Sequence, residues 1–353
     1  MRSKLAAVVG TLVTVAAMAS PAVANGPRLD LQFRGQAIVP TGTSFQDTTV
    51  GGLSSITYDA QRKVFYAVSD DPSQFQPARF YTVGLDVSDG RLADGDVRFK
   101  AVTTLLGPDG QPYPPFSLDP EGLALTKDRE LIFTSEGLPN SVIDPFVRLS
   151  SLNGRFLGSL PVPQPFLATA DRSSGVRPNL GFESAGVSPD GRFAFVATEN
   201  ALYQDGPPAT VSNGSPARIL RYDLRTRRLD RQWVYETDPV AEPPVPATQF
   251  SVNGLVELLP LDDDHLIAME RSFSVGAPGT GNSIKLYEVA LSRKTGVARK
   301  RLLLDLDDLG IPLDNVEGLT FGPRLRHGRQ SVVLVSDNNF AATQFTQFLL
   351  FAL

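Results

Sequence analysis

The sequence predicts an all-β fold, a β-propeller of five four-stranded blades. Three observations support this prediction. One short phrase recurs five times, its copies are evenly spaced along the chain, and the last strand lacks a partner that the first strand can supply. Evenly repeated units of this kind are typical of propellers, in which neighbouring units bury a shared core.

The recurring phrase is a short apolar strand, a polar turn and a second strand that ends in an acidic residue. The turn of the third copy, SPDGR at 188–192, is a strong Pro-Asp-Gly turn signal. The starts of successive copies are separated by 67, 62, 70 and 64 residues. The copies begin at Ser54, Glu121, Glu183, Asn253 and Glu317.

A second hairpin follows the phrase in each of the first four units, as at Asn153-Gly154, a favoured hairpin turn. In the fifth unit only QFLLFAL at 347–353 remains, and DLQFRGQAIV at 30–39 is its predicted partner. Such pairing closes the ring and removes its open edges. Six blades would be the alternative if a long loop concealed further strands. We find no long helix.

The first 24 residues are expected to be a secretory signal peptide. Arg2 and Lys4 precede an apolar run over 5–19, and Ala22-Val23-Ala24 is a cleavage pattern. The run is shorter than the roughly 20 residues of a membrane span, and no later segment is suited to one. We therefore expect export to the periplasm or the cell exterior, with a single propeller domain at 25–353.

Composition excludes several classes of function. With 38 acidic and 33 basic residues the chain is acidic, which makes nucleic acid an unfavourable partner. The absence of cysteine excludes disulfides, thiolate catalysis and Cys-zinc sites. The two histidines, His265 and His327, lie in predicted turns, and no G-x-S-x-G elbow is present. Any catalysis would therefore use carboxylates, Arg or Lys, and a hard metal ion.

Carboxylates are predicted to ring one mouth of the central channel. In each unit the first strand begins, and the second ends, on the face with the long loops. Two carboxylates 5 Å apart repel by roughly 3 kcal/mol at a dielectric of 20, so such a ring needs cations, and oxygen ligands suit Ca²⁺. The first strands begin at the residues named above, and the second strands end at Asp70, Glu136, Glu199, Glu270 and Asp337.

Three interpretations of this ring stay open. The carboxylates can form structural ion pairs with arginines, hold a metal ion, or bind a cationic ligand directly. Polar residues at the ends of propeller strands often connect blades, so each acid can serve a different role.

Four phrases of the sequence resemble the family named "esterase-like activity of phytase", the phytase-like propeller proteins. They span 50–72, 119–137, 181–200 and 315–340. The resemblance implies Ca²⁺-dependent ester hydrolysis without His or Cys. Ser184 replaces the glycine expected after Glu183, and Asn253 stands where an acid is expected. The acidic positions that match the family's pattern are Asp70, Asp71, Glu121, Glu136, Glu183, Glu199, Glu317 and Asp337.

We therefore expect an exported, Ca²⁺-dependent hydrolase of a small phosphoric ester, phytate or a smaller one. Glu183 and Glu317 are the candidate catalytic residues. The candidates for binding the phosphate group of the substrate are Arg79, Arg148 and Arg271. Candidate metal ligands are Glu270 and the eight family positions above. The alternative is a non-enzymatic propeller that binds a sugar, a peptide or a surface partner. A carboxylesterase is a third possibility, for which the sequence offers no serine motif.

Overall fold

The computed structural model describes residues 29–353, which form five four-stranded antiparallel sheets around a central axis. Strand β1 (Gln32–Val39) comes first, followed by the small hairpin β2 (Ser44–Phe45) and β3 (Thr48–Thr49). The predicted signal peptide, residues 1–24, lies outside the described residues. Among residues 29–353, no helix is long and apolar enough to cross a membrane.

The blades follow one another along the chain, and in each blade the strands are ordered from the axis outward. Short 3₁₀ turns in residues 29–353 lie at Pro139–Ser141, Gln164–Phe166, Leu306–Leu309 and Arg326–Gly328. Blade 1 contains β4 (Leu53–Asp59), β5 (Val64–Ser69), β6 (Arg79–Leu85) and β7 (Val97–Thr104). Blade 2 contains β8 (Pro120–Leu125), β9 (Glu130–Ser135), β10 (Phe146–Ser151) and β11 (Phe156–Leu160). Blade 3 contains β12 (Phe182–Val187), β13 (Phe193–Thr198), β14 (Pro216–Asp223) and β15 (Arg228–Glu236). Blade 4 contains β16 (Ser251–Pro260), β17 (His265–Ser274), β18 (Asn282–Leu291) and β19 (Ala298–Asp305). Blade 5 contains β20 (Asn315–Arg324), β21 (Gln330–Asp337) and β22 (Thr346–Ala352), with β1 outermost.

The predicted five blades and their closure are confirmed. Strand β1 pairs antiparallel with β22, from Gln32 opposite Ala352 to Val39 opposite Thr346. The first strand of the described chain thus completes the last blade, and the alternative of six blades is excluded for residues 29–353.

Five apolar clusters lie between neighbouring blades and form the core. Along β5 the buried side chains alternate between two clusters: Phe65 and Ala67 pack towards blade 5, whereas Tyr66 and Val68 pack towards blade 2. A strand buried on both faces needs apolar residues at every position. This explains why a second strand such as β5, with the sequence VFYAVS, is apolar up to its last residue.

One strand boundary differs by more than two residues from the sequence prediction. Strand β17 was expected to end at Glu270, but it continues to Ser274, and its last four residues pair with residues 251–254 of β16. Phe273 lies opposite Val252 in this extension. The segment 271–274 is therefore strand, and the loop that follows it is shorter than predicted.

Glu257 on β16 connects blades across the central axis. It is 1% exposed, and its carboxylate accepts hydrogen bonds from the Ser55 hydroxyl of blade 1 and the Ala185 N–H of blade 3. A third bond comes from the Leu258 N–H at 2.9 Å. Burial raises the pKa of Glu257 well above its ordinary value, and these three donors lower it in part. Blades that are not neighbours in the ring are thus joined through one side chain.

We expect Glu257→Ala to lower the free energy of unfolding by about 2–4 kcal/mol, because it leaves a buried hydroxyl and a buried N–H without an acceptor. Urea unfolding followed by tryptophan fluorescence would measure the change, since Trp233 is the only tryptophan. Glu257→Gln keeps an acceptor oxygen, so it should lower the free energy of unfolding by less than the alanine substitution does. Equal stability of the alanine variant and the parent protein would contradict this role.

Candidate functional site

A β-bulge recurs near the start of the inner strand in four blades. The register shifts at Ser54 in β4, at Glu121 and Gly122 in β8, at Glu183 in β12 and at Glu317 in β20. A bulge bends its strand and re-aims the extra residue. The glutamates that begin the repeated phrase therefore sit at bulges and lie at the mouth of the channel.

The glycine after the first of these glutamates is required by packing. A Cβ on Gly122 would lie 2.5 Å from the backbone carbon of Ser184 in the next blade. Only glycine allows β8 and β12 to approach this closely. In blade 3 the corresponding residue is Ser184, whose hydroxyl accepts a hydrogen bond from the Ala197 N–H at 3.0 Å. The Glu-Gly pair thus combines an aimed carboxylate with close contact between inner strands.

Eight carboxylates gather at this mouth, and we call them the mouth cluster. Two overlapping triads have carboxylate oxygens within 4.8 Å of one another: Asp119, Glu121 and Glu136 form one, and Glu136, Glu183 and Glu199 form the other. Glu136 is shared by both. The full mouth cluster consists of Asp70, Asp119, Glu121, Glu136, Glu183, Glu199, Glu317 and Asp337.

Burial and mutual repulsion make these groups hard to ionise together. Burial raises the pKa of all eight, and neighbouring carboxylates raise it further for most of them. Burial raises the pKa of Asp119 to about 7. Burial and the charge of Glu317 together raise the pKa of Asp337 to about 8. The cluster therefore favours any bound cation that relieves this repulsion.

Arg271 supplies the basic side chain among the described residues that line the pocket. Its Nη2 donates to Glu317 Oε1 at 2.8 Å and lies 3.5 Å from Glu199 Oε1. Burial alone would lower the pKa of Arg271, but Glu317, Glu199 and Glu183 raise it, so the guanidinium stays charged. Arg271 faces Gly254 across the strand pair, and a Cβ on Gly254 would lie 2.2 Å from Glu199 Oε1. The missing side chain leaves room for Glu199.

The mouth cluster contains a polar atom that protein donors do not satisfy. Glu199 is 1% exposed, and no described residue donates a hydrogen bond to its Oε1. An unpaired buried polar atom is costly, so its presence suggests a missing partner such as an ion.

The structure places Glu270 and Asn253 outside the mouth cluster. Because the bulge in blade 4 is at Val256, three residues beyond Asn253, Arg271 faces the mouth and Glu270 points between blades. Glu270 accepts bonds from Tyr235 Oη at 2.7 Å and Asn253 Nδ2 at 2.9 Å, and it pairs with Lys300. This carboxylate is fully engaged by protein groups.

Asp71 and Arg79 form an ion pair with each other and do not line the pocket. The fully buried Asp71 carboxylate accepts N–H bonds from residues 74, 75 and 76 and pairs with Arg79 at 2.7 Å. The pair shapes the loop between β5 and β6.

Arg148 lies on β10, the third strand from the axis, where it donates a hydrogen bond to Tyr113 Oη at 2.8 Å and stacks on Phe146. Neither Arg79 nor Arg148 lines the pocket.

Asp119 and Asp314 were not predicted as site residues, although each lies close to a glutamate that begins a copy of the repeated phrase. Asp119 precedes Glu121 by two residues and belongs to one triad. Asp314 precedes Glu317 by three and lines the pocket, but its carboxylate accepts bonds from Asn315, Gln344 and Phe345. Their proximity to the repeated phrase was the available signal.

The mouth opens into a cavity of about 790 Å³ with walls of different chemistry. Its floor includes Arg271 and six carboxylates of the mouth cluster, whereas Asp119 and Glu136 do not line the cavity. Loops of blades 3 and 4 contribute an apolar side that includes Leu180, Phe250 and Phe273. The segments flanking β21 and β22 contribute neutral polar groups, among them Asn339 and Gln344.

The floor fits a hard divalent cation. Each triad offers three carboxylate oxygens at short mutual distances, and they come from two chain segments in the first triad and from three in the second. Oxygen ligands of this number and type suit Ca²⁺, which completes its coordination with water and carbonyl groups. The unsatisfied Glu199 Oε1 agrees with a partner of this kind.

Comparison with curated proteins and with solved structures found only remote similarity. No curated protein matches this chain. Among solved structures, an endo-arabinase from Bacteroides thetaiotaomicron has 13% identity over 89% of this chain and 96% of its own, with a TM-score of 0.47. An endo-1,4-beta-xylanase from the same organism has 10% identity over 85% and 90%, with a TM-score of 0.47. Likenesses this remote carry no argument about function.

The family comparison is much more specific. The family model described as "Phytase-like: Esterase-like activity of phytase" matches residues 48–340. The match begins just before β4 and ends just after β21, so it spans the inner strands of all five blades. The chain therefore belongs to the esterase-like activity of phytase family of β-propeller proteins.

Proposed function

We propose that the protein is a Ca²⁺-dependent hydrolase of phosphoric esters and that the mouth cluster is its active site. The observation that carries this proposal is the pair of carboxylate triads that share Glu136, in which the buried Glu199 Oε1 accepts no hydrogen bond from residues 29–353 and lies 3.5 Å from Arg271 Nη2. Such an arrangement favours a bound cation. Membership of the family supports a hydrolase.

Each side chain of the floor has a proposed role. Asp119, Glu121 and Glu136 would hold one cation, and Glu136 with Glu199 would face a second position beside Glu183. When bound, Ca²⁺ supplies positive charge to phosphoryl oxygens and lowers the pKa of water. Asp70 and Asp337 also line the cavity, and their oxygens would bind a further cation when the two carboxyls are ionised.

The remaining steps use residues of the chain. Arg271 would donate to a phosphate oxygen, and Glu317, bonded to it at 2.8 Å, would hold the guanidinium in place as a positioning residue. Glu183 would accept the proton of the attacking water. The water oxygen bonds to phosphorus, the ester P–O bond breaks, and the proton passes from Glu183 to the leaving oxygen.

We expect Glu183→Gln to reduce kcat for an aryl phosphate by about 100-fold or more, because an amide cannot accept the proton. The rate of phosphate release, measured in Ca²⁺ and again in a chelator, would give kcat for both proteins. An aryl acetate assayed in parallel would test carboxylesterase activity. Glu236→Gln, at an exposed position of β15, is the matched control and should retain full activity. Full turnover by the Glu183 variant would end this mechanism.

Cation binding can be tested without any substrate. Ca²⁺ should raise the melting temperature by a few degrees, because a ligand at a hundredfold excess over its Kd stabilises the fold by about 2.7 kcal/mol. Glu136→Gln should abolish most of this rise, since both triads share that residue. Glu270→Gln, at a buried glutamate outside the cluster, should preserve it. An unchanged melting temperature of the parent protein in millimolar Ca²⁺ would contradict the metal site.

A non-enzymatic binding propeller is the second candidate. The specific observation in its favour is Phe250, which lies at the pocket and is 61% exposed. An exposed aromatic ring beside a cavity is typical of ligand-binding surfaces. Tight binding of a ligand without turnover, in the presence of Ca²⁺, would favour this function over hydrolysis.

We also propose that the protein is exported after cleavage behind Ala24. The proposal rests on the charged start, the short apolar run and the Ala22-Val23-Ala24 pattern. N-terminal sequencing of the protein recovered from the periplasm or the medium should give Asn25 as the first residue. Recovery only from the cytoplasm, with residues 1–24 retained, would refute export.

A further inference from the structure

The pocket has an apolar wall that the acidic floor does not explain. Phe250 begins the wall, just before β16, and its ring lies 6.3 Å from that of Phe273 near the end of β17. Leu180, Pro208 and Val252 continue it around blades 3 and 4. Phe250 remains 61% exposed, so its ring is available for contact with a ligand. A ligand that covers it would gain about 25 cal/mol for each Å² of apolar surface removed from water.

The charge of the pocket limits how many phosphate groups it can accept. Of the described residues lining it, seven are acidic and one, Arg271, is basic. Arg271 is already paired with Glu317, and it can serve one phosphate. Further phosphates would find no second basic side chain among the described lining residues, and each would need a cation of its own. A ligand with one phosphate therefore suits this pocket better than a polyanion.

The remaining wall is polar but neutral. Asn339, Thr343 and Gln344 line the side formed by blade 5. Such groups can hydrogen-bond a hydroxyl or a carbonyl of a ligand, and they add no positive charge. The three sides together match a ligand with one anionic end, one apolar face and few other charges.

We infer that the substrate is a phosphate monoester of a flat, apolar organic group and that an inositol polyphosphate is not the substrate. This inference rests on the proposed function, since it places the phosphate on the Ca²⁺-loaded floor beside Arg271. The organic group then lies against Phe250 and the apolar wall. Phe250 is in this view a specificity-determining residue.

Turnover of three esters tests the inference. In Ca²⁺, we expect kcat/KM for phenyl phosphate to exceed that for glycerol phosphate by at least about tenfold, with little turnover of phytate. Phe250→Ala should lower kcat/KM for phenyl phosphate by about tenfold, mainly through KM, and leave glycerol phosphate unchanged. Phe116→Ala is the matched control, because Phe116 is 53% exposed but does not line the pocket. A higher kcat/KM for phytate than for phenyl phosphate would overturn the inference. An equal loss of kcat/KM for phenyl phosphate in Phe250→Ala and Phe116→Ala would overturn it as well.

Binding separates this inference from the proposed hydrolysis. Phenylphosphonate and methylphosphonate cannot be hydrolysed as esters, and calorimetry in Ca²⁺ would compare their affinities. Absence of turnover with every ester, together with tighter binding of phenylphosphonate that Phe250→Ala removes, would refute hydrolysis and support the ligand class. Equal affinity for both phosphonates would overturn the ligand class whatever the turnover.

Discussion

Closure of the ring by β1 and β22 is the constraint on which the rest of the structure depends. A closed ring of five sheets makes the five inner strands converge on one axis, and their backbones must come close together. Gly122 meets this demand directly, because any side chain there would overlap the backbone of blade 3. Convergence also brings the bulged residues of separate blades to one mouth, so the geometry of the ring creates the acidic cluster.

The core and the mouth make opposite contributions to stability. Five apolar clusters between blades supply the favourable burial, and strands such as β5 contribute to two of them at once. At the mouth, eight buried carboxylates repel one another and lack sufficient donors. Natural proteins tolerate such local conflicts chiefly at functional sites, and the surplus from the core compensates for them. Glu257 shows the contrast, since it is equally buried but receives three hydrogen bonds.

The architecture could be predicted from the sequence because the repeat is strong. Five copies of one phrase, and a last strand whose partner lay at the other end, indicated both the number of blades and the closure. Seven of the eight mouth carboxylates belonged to that phrase. The roles of Glu270 and Asp71 could not be predicted, since they depend on register and on loop contacts. In blade 4 the bulge lies at Val256, and this displacement exchanges the positions of Glu270 and Arg271.

The position of Arg271 has a consequence for how a ligand can be oriented. A ring with the same acid in every blade would present five equivalent directions to a molecule entering along the axis. Only one binding event in five would then align a reactive bond with a particular carboxylate. Arginine in blade 4 breaks this equivalence, and the apolar wall lies beside the same blade. An approximately fivefold symmetric scaffold thereby gains a single polar direction, from the guanidinium towards the opposite carboxylates, along which an asymmetric ligand can align.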